Sequence, residues 1–158
     1  MTIAAIAHLN FYDARAKEAL DFYADVFSGT VLVHTYEEFG MPAAAPDAAR
    51  LAYGQVTADS GFLIMAYDIP GAKPTTAATD PAFVRRDHGV TLTNQSSFVS
   101  LRAGSLEEVQ GLWDGLVVGG TTVESLAASN WSAGFGMLTD KFGVTWILSV
   151  HQDAPAAV

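Results

Sequence analysis

A few side-chain groups in this sequence carry reactive or recognition chemistry. His8 and Asn10 lie two residues apart in the segment IAAIAHLNF, alternating with Leu9 and Phe11. An imidazole titrates near neutrality. His8 therefore reads either as a hydrogen-bonding or acid–base group toward a ligand, with Asn10 to orient it, or as a structural histidine satisfied by backbone or water. Arg85, Arg86, Asp87 and His88 form a second group. Such a cluster either clamps an anionic substrate or stays solvated in exposed ion pairs worth little. Trp131 sits among Asn130, Ser132 and Gly134, with Phe135 following. An aromatic in that setting lids a pocket, stacks on a planar ligand, or packs between modules. Glu37 and Glu38 are carboxylates that would have to join His8 if a metal were recruited. His34 and His151 have no partner that spacing defends, and a Ser–His–Asp set cannot be argued from spacing because triads assemble in space. The chain has no cysteine, which excludes thiolate nucleophiles, disulfides and Cys-based zinc sites.

The bulk numbers narrow the class. The chain has 158 residues, half of them hydrophobic and 16% charged, enough for a real core in one domain of ordinary size. Net charge is −9, from 17 acidic and 8 basic residues. Nucleic acids and anionic membranes both demand a basic face, so neither is expected as a partner. No apolar run reaches the roughly 20 residues that span a bilayer. The start is short and lacks a basic flank, so it reads as a strand and not as a signal peptide. A soluble cytoplasmic protein is the expectation.

The elements that must position these groups follow from periodicity. Residues 3–11 read as a strand with Leu9 and Phe11 on one side and Ile6, His8 and Asn10 on the other. From Arg15 to Phe27, apolar residues recur at three and four, giving a helix whose stripe includes Ala16, Leu20, Tyr23 and Phe27. Gly29 suits a left-handed cap at its end. Thr30–Tyr36, Leu51–Thr57 and Gly61–Tyr67 read as strands, the last two joined by the turn around Ala58–Gly61. Residues 40–48 read as a loop, and residues 68–94, proline-containing and aperiodic, as a long connector. Ser97–Leu101 is the next strand. Ser105 and Glu108 match a capping box, opening a helix that buries Leu106, Val109, Leu112, Trp113 and Leu116 and stops at Gly119-Gly120. Strands at Thr121–Leu126, Ser132–Leu138 and Val144–Val150 follow, then a frayed tail from Gln152.

The order strand, helix, strand, strand, strand thus occurs twice. A constant shift of ninety residues places His8 on Phe98, Leu9 on Val99, Phe11 on Leu101, Glu18 on Glu108, Phe22 on Leu112, Tyr23 on Trp113 and Gly29 on Gly119. A repeat of this kind fixes architecture. It predicts an α+β protein of two βαβββ modules, about 1–68 and 95–151, joined by a connector at 69–94 within one domain of 1–158.

The segments HLNFYDARAKEALDFYADVFSGTV, SLEEVQGLWDGLVVGGTTV and NWSAGFGMLTDKFGVTWILSV carry a family resemblance. The last has a W-x-x-x-x-G-M-x-x-D-x-F-G-V-x-W pattern at Trp131, Gly136, Met137, Asp140, Phe142, Gly143, Val144 and Trp146. The chain resembles the PhnB-like proteins of the vicinal-oxygen-chelate superfamily, which includes glyoxalases, bleomycin-resistance proteins and extradiol dioxygenases. The resemblance implies a cupped mixed sheet with a pocket on the concave side of each module, and a homodimer. In metal-dependent relatives, His or carboxylate ligands come from the first and last strand of each module. Carried over position by position, those sites fall on His8 (or Ile6), Met65, Phe98 and Ile147. Three of these four side chains are Met, Phe and Ile, so the expectation is that no metal and no other cofactor is held. Some relatives are named as 3-demethylubiquinone 3-methyltransferases. No strand followed by a glycine-rich loop marks an S-adenosylmethionine or dinucleotide site here, so that activity is not expected.

Alternation puts Met65, Tyr67, Phe98, Ser100, Thr145 and Ile147 on the concave side with His8 and Asn10. With Trp131 they form the expected ligand-binding set, apolar with a few hydroxyls, as small-molecule pockets are. The competing reading is that these side chains fill the cup or seal a dimer interface. Trp113 and Trp146 are expected in the core. The functional readings are a metal-independent protein that binds and sequesters a small organic molecule, a lyase, isomerase or dioxygenase-like enzyme using His8, or an accessory protein with a filled pocket.

Overall fold

A computed structural model describes residues 3–71 and 81–151. The expected tail from Gln152 and the middle of the expected connector lie outside the described residues. The chain divides into two compact units, Met1–Ala78 and Thr79–Val158.

The first unit contains β1 (Ala7–Phe11), α1 (Ala16–Phe27), β2 (Thr30–Thr35), β3 (Leu51–Thr57) and β4 (Leu63–Asp68). The sheet order is β1-β4-β3-β2, with β1 parallel to β4 and the other pairs antiparallel. Helix α1 buries Ala16, Ala19, Leu20, Tyr23 and Phe27 against Val56, Ile64 and Ala66. Full burial of a large apolar side chain such as Leu20 or Ile64 stabilises the fold by about 1.5–3 kcal/mol each. Gly54 is what lets the helix sit this close. A Cβ there would stand 2.3 Å from Leu20 Cδ1 and 3.0 Å from the Ala66 carbonyl.

The second unit contains β5 (Val84–Asp87), β6 (Val90–Thr93), β7 (Val99–Ala103), α2 (Leu106–Leu116), β8 (Thr121–Ala127), β9 (Phe135–Thr139) and β10 (Thr145–Val150). Its main sheet has the order β7-β10-β9-β8, again with one parallel pair, β7 with β10. Both units are therefore βαβββ modules of the same topology, as the ninety-residue shift predicts. The helices keep that shift, starting at Ala16 and Leu106, and Tyr23 and Trp113 are both buried. Trp146 is buried as expected.

Several local expectations are corrected. The first strand begins at Ala7, not at residue 3, its pairing with β4 starting at Ala7↔Ile64. Ile3 is 89% exposed. The residue in left-handed conformation after α1 is Ser28 (φ 53°), not Gly29. Gly29 is required for another reason: a Cβ would stand 2.6 Å from Val56 Cγ1. The capping box at Ser105 and Glu108 is present, but Leu106 is 47% exposed and Leu112 half-buried. The buried stripe of α2 is Val109, Trp113 and Leu116.

The expected connector at 69–94 is not structureless. Residues 84–93 form the antiparallel hairpin β5–β6, in register from Val84↔Thr93 to Asp87↔Val90. Its two turn residues, His88 (φ 48°) and Gly89 (φ 80°), both have positive φ, the backbone that matches a tight hairpin to strand twist. The sequence lacks the usual Asn-Gly or Asp-Gly signal, which hid the turn.

Candidate functional site

Strand alternation and register decide which side chains share a face. In the first unit, His8 is the Cα partner of Met65 and Asn10 of Tyr67. Gln55 lies opposite Met65 on the other side. All five point away from α1, since the alternate residues Ile64, Ala66, Gly54 and Val56 pack against it or the sheet interior. The His8 ring meets the Tyr67 ring edge-on, centroids 5.4 Å apart. His8 Nδ1 lies 3.1 Å from Asn10 Oδ1, so the Asn10 amide oxygen accepts from Nδ1–H and orients the imidazole.

Sequence reasoning missed the other half of this face. Tyr53 and Gln55 on β3 belong to it, linked as Tyr53 Oη–H donating to Gln55 Oε1 (2.8 Å), and Gln55 Nε2–H to Thr57 Oγ1 (2.8 Å). His34 on β2 faces Tyr53 across the strands, ring centroids 6.3 Å apart. Its Nδ1 lies 3.7 Å from the Glu38 carboxylate. The alternation Tyr53, Gln55, Thr57 was a readable signal. It was obscured because a bulge between His34 and Thr35 shifts the register, returning Leu51 to the buried side.

Of the two carboxylates considered as recruits, Glu38 is committed locally. Glu38 accepts the Thr35 N–H at 2.6 Å, and Thr35 Oγ1 accepts the Glu38 N–H. The backbone hydrogen bond from Thr35, aided by Thr35 Oγ1 and the nearby His34, holds the Glu38 carboxyl below its ordinary range. Glu37 is exposed. Asp68, 2% exposed, accepts the Ala16 N–H with one oxygen and the Leu51 N–H with the other. It therefore caps the start of α1 and ties down β3. On the helix side of the sheet a cleft of about 530 Å³ is lined by Lys17, Val33, Thr35, Arg50, Leu51 and Asp68, among others. Lys17 is paired with Asp21 and Arg50 with Asp47, so its cations are already neutralised.

The remaining expected residues lie in the second unit. Ser100 pairs with Ile147 and Ile147 with Met137, so these three share the face turned away from α2. Thr145 is on that face but buried, its hydroxyl 2.9 Å from Thr139 Oγ1. Phe98 stands one residue before β7, half-buried. Trp131 is 59% exposed and meets Phe135 edge-on at 4.7 Å between centroids. The basic cluster is split by the hairpin. Arg86 turns inward, bonded to Glu124 and to Thr91 Oγ1, with its guanidinium 5.5 Å from the Phe135 ring centroid. Arg85 and His88 point into solvent. The hairpin also sets Thr91 Oγ1 3.8 Å from Met137 Sδ.

The closing pattern has a structural explanation. Asp140 Oδ1 accepts the N–H groups of Phe142 and Val144, and Oδ2 accepts the Trp146 indole N–H. Gly143 takes the positive φ (85°) that the turn requires.

The description of the glyoxalase/bleomycin resistance protein/dioxygenase superfamily matches residues 5–148. The chain belongs to that superfamily. Solved structures agree on the fold of this superfamily member. A Pseudomonas aeruginosa protein, PA1353, is 25% identical with a TM-score of 0.72, covering 96% of this chain and 100% of that one. A PhnB protein from Bacillus cereus, provisionally named a 3-demethylubiquinone-9 3-methyltransferase, is 20% identical with a TM-score of 0.67, covering 94% and 100%. The fosfomycin resistance protein FosX of Listeria monocytogenes is 11% identical with a TM-score of 0.56, covering 96% and 95%. No curated protein matches the sequence.

Metal-dependent superfamily members hold a divalent cation, and the residues at the four carried-over positions do not fit one. His8 offers a nitrogen. Its strand neighbour Met65 offers only a thioether, which hard and borderline cations disfavour, and Phe98 and Ile147 have no donor atom. Among the described residues, no three His, Asp or Glu side chains gather where one ion would reach them. No described helix is long and apolar enough to cross a membrane.

Proposed function

We propose that this superfamily member is a metal-independent protein that binds and sequesters a small organic molecule. The ligand is partly planar and neutral or weakly polar. The observation that carries the reading is the in-register face of His8, Asn10, Met65 and Tyr67 in the first unit. It combines the His8–Tyr67 ring pair, a thioether and an amide, with no second imidazole and no carboxylate, which is the make-up of a small-molecule surface. In the second unit Phe98, Ser100, Thr145, Ile147 and Trp131 are the corresponding contact candidates. His8 Nε2 is the acceptor the ligand's polar group meets, and Tyr67 the ring on which its plane rests.

The methyltransferase name of the Bacillus cereus relative is not carried over, since nothing in the sequence provides the glycine-rich loop such a cofactor uses. A homodimer in the cytoplasm is the working assembly. Among the described residues β2 is an edge strand of its sheet, and its Leu32 is 50% exposed. An uncovered apolar edge favours a protein partner.

Two measurements test the proposal. Elemental analysis of freshly purified protein should find no stoichiometric Zn, Ni, Fe or Mn. One equivalent of any of them would overturn metal independence and favour the lyase, isomerase or dioxygenase reading. A thermal-shift screen of small planar organic compounds should find ligands that raise the melting temperature by mass action, with the shift lost in His8→Ala or Tyr67→Ala. Shifts that survive both substitutions would move the site off this face.

A further inference from the structure

Arg86 presents an arrangement that the proposed function does not use. Its guanidinium comes from the hairpin β5–β6, whereas everything it touches apart from Thr91 belongs to the sheet of the second module. Glu124 on β8 supplies the carboxylate, Phe135 on β9 supplies a ring face, and Trp131 flanks that ring. Carboxylate and aromatic faces together are what recognise a planar cation: the acid takes the N–H edge and the ring takes the charge on its face. The site is built by one part of the unit and filled by a cation from another.

The filling is within reach of solvent. The side chains of Arg86 and Glu124 are 21% and 36% exposed, so small solutes can approach the pair. The hairpin also meets the sheet through Thr91 on Met137 and through β5 lying against β8. At the position ninety residues earlier than Glu124, the first unit has His34 beside Tyr53, so the acid is not a requirement of the repeated fold. A chain with a net charge of −9 also raises the local concentration of small cations.

We propose that Glu124, Phe135 and Trp131 form a binding site for a planar organic cation of the guanidinium or amidinium class, and that Arg86 occupies it as a tethered competitor. A free cation must displace a group held at high effective concentration. Its apparent affinity in the wild-type chain is therefore lower than the intrinsic affinity, by the fraction of molecules in which the hairpin has let go.

The probe is benzamidinium chloride, read by isothermal calorimetry and by the change in intrinsic tryptophan fluorescence, Trp131 being the exposed one. Arg86→Ala should bind it saturably at one equivalent, about tenfold or more tighter than the wild type does. Adding Glu124→Gln to that variant should weaken binding by about tenfold, because the charge-assisted hydrogen bonds go. Equal affinity in wild type and Arg86→Ala, no saturable binding by Arg86→Ala, or undiminished binding in the double variant would each overturn the site. Should circular dichroism show Arg86→Ala unfolded, Arg86→Gln takes its place with the same outcomes. The wild-type chain gives a further readout. Saturating benzamidinium should speed amide hydrogen exchange across residues 84–93, and unchanged exchange counts against displacement.

Discussion

The Asp140 carboxylate accepts the Trp146 indole N–H at 2.8 Å, with Trp146 fully buried and Asp140 nearly so. Its other oxygen holds the turn that leads into β10. The aspartate of the closing pattern thus works on the fold and not on a substrate. Asp140→Asn keeps the shape but turns one acceptor into an N–H₂ group, which faces either the indole donor or the turn amides. The expected cost is about 1–3 kcal/mol, which lowers the melting temperature by roughly 2–4 °C per kcal/mol in a chain of this size. An unchanged melting temperature would mean these bonds are not what the pattern secures.

Two glycines should respond in opposite directions to alanine. Gly111 is inside α2, exposed, with open space where a Cβ would go. Gly111→Ala should stabilise by about 0.5–1 kcal/mol, through helix propensity and a less free unfolded chain. A Cβ on Gly120 would stand 2.5 Å from the Thr139 carbonyl oxygen and 3.0 Å from Asp140 Cα. Backbone cannot swing aside, so Gly120→Ala should destabilise by about 1–3 kcal/mol. Urea denaturation of both variants measures the contrast, and similar midpoints would refute it.

How much was legible follows from which forces are local. Helix α1 and the capping box at Ser105 were readable because apolar spacing and a four-residue hydrogen-bond signature lie within one turn or two. The face of His8, Asn10, Met65 and Tyr67 was readable because strand parity alone decides it. Tyr53 and Gln55 were not found because a bulge opposite His34 breaks that parity, and a bulge depends on the partner strand. The hairpin at 84–93 escaped because His88-Gly89 is an unusual pair for its turn. Arg86 then could not be matched to Glu124, thirty-eight residues away, by any spacing rule. Pairings of that kind exist only once the chain has folded.

Tyr36 sets a test in alkali. Its hydroxyl donates to the Asp68 carbonyl at 2.8 Å. Desolvation, with smaller contributions from Tyr67, Asp68 and Asp47, raises its pKa above the ordinary 10.0. The folded state therefore keeps this proton after the unfolded chain has lost it. The stabilisation is complete below the unfolded value near 10 and is lost as pH rises through the higher folded value. Tyr36→Phe removes the hydrogen bond, costing about 0.5–1.5 kcal/mol at neutral pH. The stability gap between wild type and variant should narrow above pH 10. Chemical denaturation across pH 7 to about 11.5 measures it, and a constant gap would assign the alkaline response to other groups.

Met65 should be the residue that keeps the first unit from gripping a metal. Its Cα partner on the parallel strand is His8, and both side chains point from the same face. Replacing the thioether by imidazole puts two nitrogen donors on neighbouring strands, with Tyr67 and Asn10 beside them. Met65→His should therefore bind Zn²⁺ or Ni²⁺ on the order of tenfold or more tighter than the wild-type chain. Calorimetric titration of both proteins with each ion decides the matter. If the wild type already binds as tightly as the variant, His8 has donors that strand register does not reveal, and Met65 is not the barrier. If the variant gains affinity and His8→Ala in the same background removes it, the pairing of positions 8 and 65 is a metal-ready geometry that this sequence leaves without its second nitrogen.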